Sequence, residues 1–255
     1  MSSIDALLSL LEDPDPRIHE PISARLGTDA ALLDEAWARA SARGLPPRAL
    51  VTLVLRADAE GLVDAFAGAE DLESGAWMLP RLHEPRRDHR TPGVAALDQL
   101  AARVRASGAC DGGGLAAFLC GACGFGGAER DYDDPRNSYL PVVLERRVGL
   151  PIALTTLWLL VARRLGIAAD AIAMPGHVLG RWSGGYLDLF SGGVGITRAD
   201  LDRRARAAGE PSAGPFLAPA SDRALLKRMA RNLALAYLRH GDQLRATIAH
   251  ALATV

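Results

Sequence analysis

The most apolar stretch of the chain constrains its fold more than any other feature. Residues 146–166 read RRVGLPIALTTLWLLVARRLG, and the part from Leu150 to Ala162 is nearly free of polar groups before it ends at Arg163 and Arg164. A helix that spans a bilayer needs about 20 apolar residues, so this stretch is too short to be a membrane segment. A helix that is apolar around most of its circumference is covered on all sides. The sequence therefore predicts a central helix in a globular core, with no membrane partner.

The residues after this helix have the pattern of short strands. AIAMPGHVLGRW and GYLDLF alternate in part, and Ser183-Gly184-Gly185 joins them. A short link rich in glycine is typical of a β-hairpin. His177 lies on the first segment and Asp188 on the second. Because a helix is followed by antiparallel strands, the order of elements predicts an α+β fold.

Helical patterns flank this core, which we assign to residues 71–200. Residues 1–70 alternate helical stretches with Asp-Pro and Gly-Leu-Pro breaks, a pattern typical of either a HEAT-type repeat or a plain helical lead-in. Residues 201–255 contain two amphipathic helices that divide at Gly241-Asp242. Their small and aromatic residues are similar to those of a single tetratricopeptide hairpin.

The apolar stripe of this last segment needs a surface to cover it. Leu225, Leu233, Leu235 and Leu238 belong to the stripe. One repeat unit cannot form a superhelical groove, so peptide binding by this segment alone is not expected. We predict that the stripe packs on the core.

Charge and cysteine content exclude several functional classes. The 29 basic and 30 acidic residues are interspersed, so no one-sided patch for a nucleic acid is expected. The N-terminal residues lack the basic region of a secretory signal, which predicts a cytoplasmic protein. The chain has an odd number of cysteines, Cys110, Cys120 and Cys123, which argues against a disulfide framework. No second CxxC completes a zinc site with Cys120 and Cys123, so we expect structural cysteines and neither a metal nor a cofactor.

One long stretch resembles a known family. DPRNSYLPVVLERRVGLPIALTTLWLLVARRLGI, followed by PGHVLGRW and YLDLFSGG, is similar to the SirB-type bacterial proteins of the transglutaminase-like superfamily. The resemblance is dense from residue 131 to residue 193 and weaker in the flanking helices. It implies a papain-like core, in which a central helix packs on a small antiparallel sheet.

The resemblance also implies roles for three positions. Enzymes of the superfamily hold a cysteine at the start of the central helix, a histidine on the next strand and an aspartate on the strand after it. The helix N-terminus favours the thiolate, the imidazole exchanges the proton and the carboxylate orients the ring. These positions correspond to Pro151, His177 and Asp188 in this chain. Proline suits a first helical turn but has no nucleophilic atom, so we expect the fold without covalent cysteine chemistry.

Other residues of the motif are candidates for the cleft. Ser138 is either a substitute nucleophile or a helix cap, and we expect Asn137 or Ser138 to cap the helix that follows. Arg136 and Asn137 either line the cleft or form hydrogen bonds that join their loop to a helix. Gly176 keeps the backbone open beside His177. All three cysteines are expected to lie far from these residues.

Three functions fit these features. The first is a non-catalytic binding or regulatory module, a pseudoenzyme that holds an unknown protein or small ligand in the former active-site cleft. The second is an amide or ester hydrolase that uses His177 and Asp188 with Ser138 or water. The third is a helical protein–protein adaptor that works through its HEAT-like and tetratricopeptide-like ends, with a structural core in which His177 and Asp188 only tie two strands together. An open cleft with an exposed His177 favours the first two functions, and a filled cleft favours the third.

Overall fold

The computed structural model describes residues 3–44 and 46–255, and it divides them into two units. The first unit holds the described residues up to Ala65 together with Arg81–Arg87, and the second holds Phe66–Pro80 and Asp88–Val255. In the described ranges, no helix is both long enough and apolar enough to span a membrane.

The first unit is helical. Its helices are α1 (Ser3–Leu11), α2 (Pro16–Thr28), α3 (Ala30–Ser41) and most of α4 (Arg48–Ala67). The Asp15 side chain accepts a hydrogen bond from the amide of Arg17 and so starts α2, and Asp29 does the same for Leu32 in α3. Apolar side chains from all four helices form its core: Leu8, Leu26, Leu33, Leu50 and Val54. Its likeness to a HEAT repeat stays a prediction, as do the boundaries 1–70, 71–200 and 201–255.

The second unit combines helices with two small sheets. Its helices are α5 (Leu72–Ala76), α6 (Arg90–Ser107), α7 (Gly112–Ala117), α8 (Leu140–Arg146), α9 (Pro151–Leu165), α10 (Arg198–Ala207), α11 (Asp222–Arg239) and α12 (Gln243–Thr254). Its strands are β1 (Gly126–Gly127), β2 (Val148–Gly149), β3 (Ala169–Met174), β4 (His177–Trp182), β5 (Gly185–Asp188) and β6 (Val194–Ile196). The first two strands pair in parallel, and the other four form an antiparallel sheet in sequence order. The predicted α+β class is therefore confirmed.

Helix α9 is the centre of this unit. Every residue from Pro151 to Ala162 is buried. The indole of Trp158 donates to the carbonyl oxygen of Gly112 at 3.0 Å, and the Thr155 hydroxyl donates to that of Val178 at 3.4 Å. The few polar groups of the helix thus find partners inside the core. This agrees with the buried helix predicted from its apolar circumference.

The antiparallel sheet has more strands than the sequence pattern indicated. AIAMPGHVLGRW, expected to contribute one arm of a single hairpin, is itself a hairpin of β3 and β4. Its turn is Pro175-Gly176, and Gly176 has φ +69°, a conformation that favours glycine. The predicted hairpin follows it, with Ser183 and Gly184 between β4 and β5. The effect is that His177 begins a strand directly after a tight turn.

The C-terminal hairpin of α11 and α12 packs on the core, but only part of the predicted apolar stripe is buried there. Leu225 and Leu233 are buried, whereas Leu235 is 53% exposed and Leu238 is 49% exposed. The prediction was wrong for the latter two. Each residue of a helix turns about 100°, so Leu235 points about 200° away from Leu233.

A chain that ends at Ala220 should not fold cooperatively. The deletion removes Leu225, Leu226, Met229 and Leu233, all buried in the second unit. Each such side chain contributes roughly 1.5–3 kcal/mol, so the four approach the entire net stability of a domain. Circular dichroism and urea unfolding would test this. The double variant Leu235→Ser and Leu238→Ser is the matched control and should leave the free energy of unfolding nearly unchanged. A soluble, cooperatively unfolding deletion variant would contradict the packing described.

Candidate functional site

His177 and Asp188 form a hydrogen-bonded pair across two strands. His177 opens β4, Asp188 closes β5, and the ring nitrogen Nε2 of His177 lies 2.8 Å from Oδ1 of Asp188. Because a carboxylate accepts hydrogen bonds, Nε2 carries the proton in this contact. Nδ1 is the ring nitrogen that Asp188 does not engage. The Phe190 ring stands edge-on to the imidazole at 6.0 Å between centroids. The ring is therefore oriented by one polar and one aromatic neighbour.

Asp188 is fully buried and has several donors around it. Arg204 donates to Oδ2 at 2.8 Å and the Ser191 hydroxyl to the same atom at 3.1 Å, while the amide of Phe190 donates to Oδ1 at 3.1 Å. Burial alone would raise the pKa of Asp188, but the contacts with His177 and Arg204 outweigh it and lower the pKa to about 2. Asp188 is therefore a carboxylate at neutral pH.

The sequence did not reveal two of these partners. Ser191 follows Asp188 by three residues in YLDLFSGG, a spacing at which a hydroxyl can reach back to a carboxylate. Arg204 carries no such local signal, because it reaches Asp188 from α10, after β6 and a turn.

A cleft of about 260 Å³ lies beside this pair. His177 and Gly176 line it from the β3–β4 turn, and Leu150, Pro151 and Ile152 line it from the start of α9. The His177 side chain is 20% exposed. The cleft is thus open to a ligand, with the imidazole on its wall.

The start of α9 supplies no reactive atom to this cleft. Pro151 is the first residue of the helix, and Leu150 before it is extended and makes no side-chain cap. The amide of Leu150 donates to the carbonyl oxygen of Asn137 at 3.0 Å, which fixes the entry of the chain into the helix. Proline fits here because its missing N–H would have no partner within the helix.

Ser138 is close to this region in sequence but does not line the cleft beside His177. It ends a short 3₁₀ turn, Pro135–Ser138, and it is fully buried with a hydroxyl that has no hydrogen-bond partner among the described residues. Helix α8 begins at Leu140 with Tyr139 as its first flanking residue and without a side-chain cap. The prediction that Asn137 or Ser138 caps this helix was therefore wrong.

The other candidates for the cleft do not all line the same cavity. Gly176 lines the cleft with His177. Arg136 and Asn137 line a second cavity of about 600 Å³, together with Asp134. Arg136 pairs with Asp134 at 2.8 Å, and the Asn137 side chain donates to the carbonyl oxygen of Asp131 at 2.6 Å. Both side chains thus form hydrogen bonds within residues 131–137, whereas the alternative interpretation placed these bonds between the loop and a helix.

The cysteines are not all as distant as expected. Cys110 is exposed, and all three cysteines are free thiols. Cys120 Sγ lies 3.9 Å from the carbonyl oxygen of Leu189, next to Asp188. Burial, helped by the charge of Asp188, raises the pKa of Cys120 to about 11, so this thiol is neutral at physiological pH. Among the described residues, no group of three or more His, Cys, Asp or Glu side chains is arranged to hold a metal ion.

Several known proteins match part of the chain. The UPF0162 protein of Xylella fastidiosa strain Temecula1 is 41% identical over 130 residues, which cover 47% of this chain and 46% of that protein. The UPF0162 protein of Vibrio cholerae is 37% identical over 76 residues, 28% of each chain. F-box only protein 21 of mouse is 41% identical over 70 residues, 26% of this chain and 11% of that protein.

These matches are partial, and the chain spans about half the length or less of the curated relatives it matches. No solved structure matches it. The family described as the transglutaminase-like superfamily matches residues 93–231, which include α9, His177 and Asp188. That region is more than half of the chain, and the chain therefore belongs to the transglutaminase-like superfamily.

Proposed function

We propose that this chain is a SirB-type, non-catalytic binding or regulatory module, which holds a ligand in the cleft beside His177. The observation that carries the proposal is the start of α9, where Pro151 lines the same cleft as His177. In this interpretation Pro151 occupies the position of the superfamily's nucleophilic cysteine. The pair of His177 and Asp188 then orients a polar ligand and transfers no acyl group.

Neither Ser138 nor Cys120 is placed to act as a substitute nucleophile in the cleft. Ser138 is fully buried and outside the lining of the cleft, and Cys120 has a raised pKa and packs behind Asp188 against Leu189. Nucleophilic catalysis needs an attacking atom within hydrogen-bond reach of the base. Neither residue supplies one to the cleft side of His177.

An amide or ester hydrolase is the second candidate. The oriented imidazole at 2.8 Å from Asp188 favours it, since such a pair can activate a bound water as a general base. The open cleft and the partial exposure of His177 favour both of these functions over the helical adaptor, whose cleft would be filled.

Ligand binding at His177 can be followed directly by NMR of protein labelled with ¹⁵N in its histidine rings. Small acids, amides and short peptides would be titrated, with His177→Gln used to assign the ring signals. We expect at least one class of compound to shift the His177 signals and to be recovered unchanged. Conversion of the compound to products would favour the hydrolase. A complete lack of shifts at His177 would contradict the binding module.

A further inference from the structure

The cleft beside His177 has a second wall, which is one face of α11. Arg228, Asn232, Leu235 and Arg239 all line the cleft. They are spaced four, three and four residues apart, so they lie on one side of the helix. This face gives the cleft guanidinium and amide groups, which the His177 side lacks.

The two arginines on this face differ in their partners. Arg239 forms an ion pair with Asp133, which also lines the cleft. Arg228 is half-buried, and within the described ranges no carboxylate forms an ion pair or hydrogen bond with it. Burial, reinforced by the charge of Arg231, lowers the pKa of Arg228 from its ordinary value. A cation in such a place is poorly solvated and lacks a counter-charge.

We infer that Arg228 binds a carboxylate group of the ligand in this cleft. The inference rests on the proposed function and names the chemical class of its ligand. A guanidinium fork matches a carboxylate with two parallel hydrogen bonds, and Asn232 lies one turn further along the helix to donate a third.

The charges and the lining residues of the cleft favour a ligand that has one negative charge and an apolar part. Asp133 already neutralises Arg239, so Arg228 leaves one positive charge for the ligand to balance. One carboxylate balances it, whereas a phosphate dianion would leave an excess negative charge in the cleft. Pro151, Ile152 and the exposed Leu235 supply apolar surface around this point. The ligand is thus an acid with an apolar part, either a free small molecule or an acidic peptide segment.

Two matched pairs of probes test the inference by calorimetry. The small pair is 4-methylpentanoate and 4-methylpentanamide, and the peptide pair is acetyl-Leu-Glu-Leu-amide and acetyl-Leu-Gln-Leu-amide. In at least one pair, wild-type protein should bind the acid at least roughly tenfold more tightly than the amide. Arg228→Gln should remove this preference. Arg231→Gln removes the same charge from an exposed position outside the cleft lining and should keep it.

The pattern of preference identifies the source of the carboxylate. Preference in the small pair supports a free acid, and preference in the peptide pair supports an acidic segment. The inference is overturned if wild type shows no preference in either pair, if Arg228→Gln retains it, or if Arg231→Gln loses it equally. Amides that shift the His177 signals as strongly as the acids would overturn the inference and leave the proposed function standing. An Arg228-dependent preference without shifts at His177 would support the inference and contradict the proposed function.

Discussion

Pro151→Cys should create a thiol that is alkylated by iodoacetamide about tenfold faster than Cys110 at pH 6. The new side chain would stand at the N-terminus of α9 and line the same cleft as His177. The helix dipole and the imidazole both favour a thiolate, so the midpoint of its pH–rate profile should lie below about 7.5. The exposed Cys110 provides the rate of an ordinary thiol within the same protein.

A second substitution tests where this reactivity comes from. Adding His177→Ala to Pro151→Cys should move the midpoint back towards that of Cys110. Loss of proline from the first turn should lower the free energy of unfolding by about 1 kcal/mol or less, because proline restricts the unfolded chain. A new thiol no faster than Cys110, or one that is indifferent to His177→Ala, would mean that residue 151 does not face the imidazole.

Asp188→Asn should be destabilising, with a loss of about 2–3 kcal/mol in the free energy of unfolding at pH 7, because solvent screens part of the charge left on Arg204. Among the described residues, the substitution removes the carboxylate that pairs with Arg204, whose side chain is 36% exposed, and it weakens the contact with His177. Urea unfolding would measure it. Asp170→Asn is the matched control, because Asp170 pairs with Arg181 at the surface and should contribute less than about 1 kcal/mol. Equal losses in the two variants would contradict the role assigned to Asp188.

The contribution of Asp188 should also vanish in acid. The pKa of Asp188 is about 2 in the folded chain and 3.8 in the unfolded chain, so the stabilisation is fully present above pH 4. It is lost as the pH falls from 4 towards 2, because the carboxyl of the unfolded chain takes up a proton in this interval while the folded carboxylate stays ionised until the pH approaches 2. The difference in free energy of unfolding between wild type and Asp188→Asn should therefore decrease by about 2 kcal/mol over this interval. A difference that stays constant across it would show that the charge of Asp188 does not stabilise the fold.

The sequence predicts the central helix from its local apolar pattern, whereas the His177–Asp188 pair is what the resemblance to the transglutaminase-like superfamily implies. The apolar run of α9 reports its burial directly, and the turn glycines bracket the strands that carry the two residues. Residue types that favour helix caps were less informative about where a helix begins. Ser138 is a favoured capping residue, yet the 3₁₀ turn that contains it ends before α8 begins.

Contacts between distant segments could not be predicted from pattern. Arg204 reaches Asp188 from α10, Cys120 packs beside Leu189, and Arg228 lines the cleft from α11. Each contact depends on how helices are laid against the sheet, which periodicity does not encode. The exposed position of Leu235, by contrast, follows from helical periodicity, which turns it about 200° away from the buried Leu233.

Intact-mass measurement of the protein after incubation with p-nitrophenyl acetate or an acyl thioester tests the central claim most directly. Wild-type protein should carry no acyl group on a residue of the cleft, and its release of product should equal that of His177→Ala. Pro151→Cys should gain one acyl group, located at residue 151 by peptide mapping. A wild-type chain that is acylated in the cleft, or that forms product in a reaction lost with His177→Ala or Ser138→Ala, would contradict the assignment of a binding module.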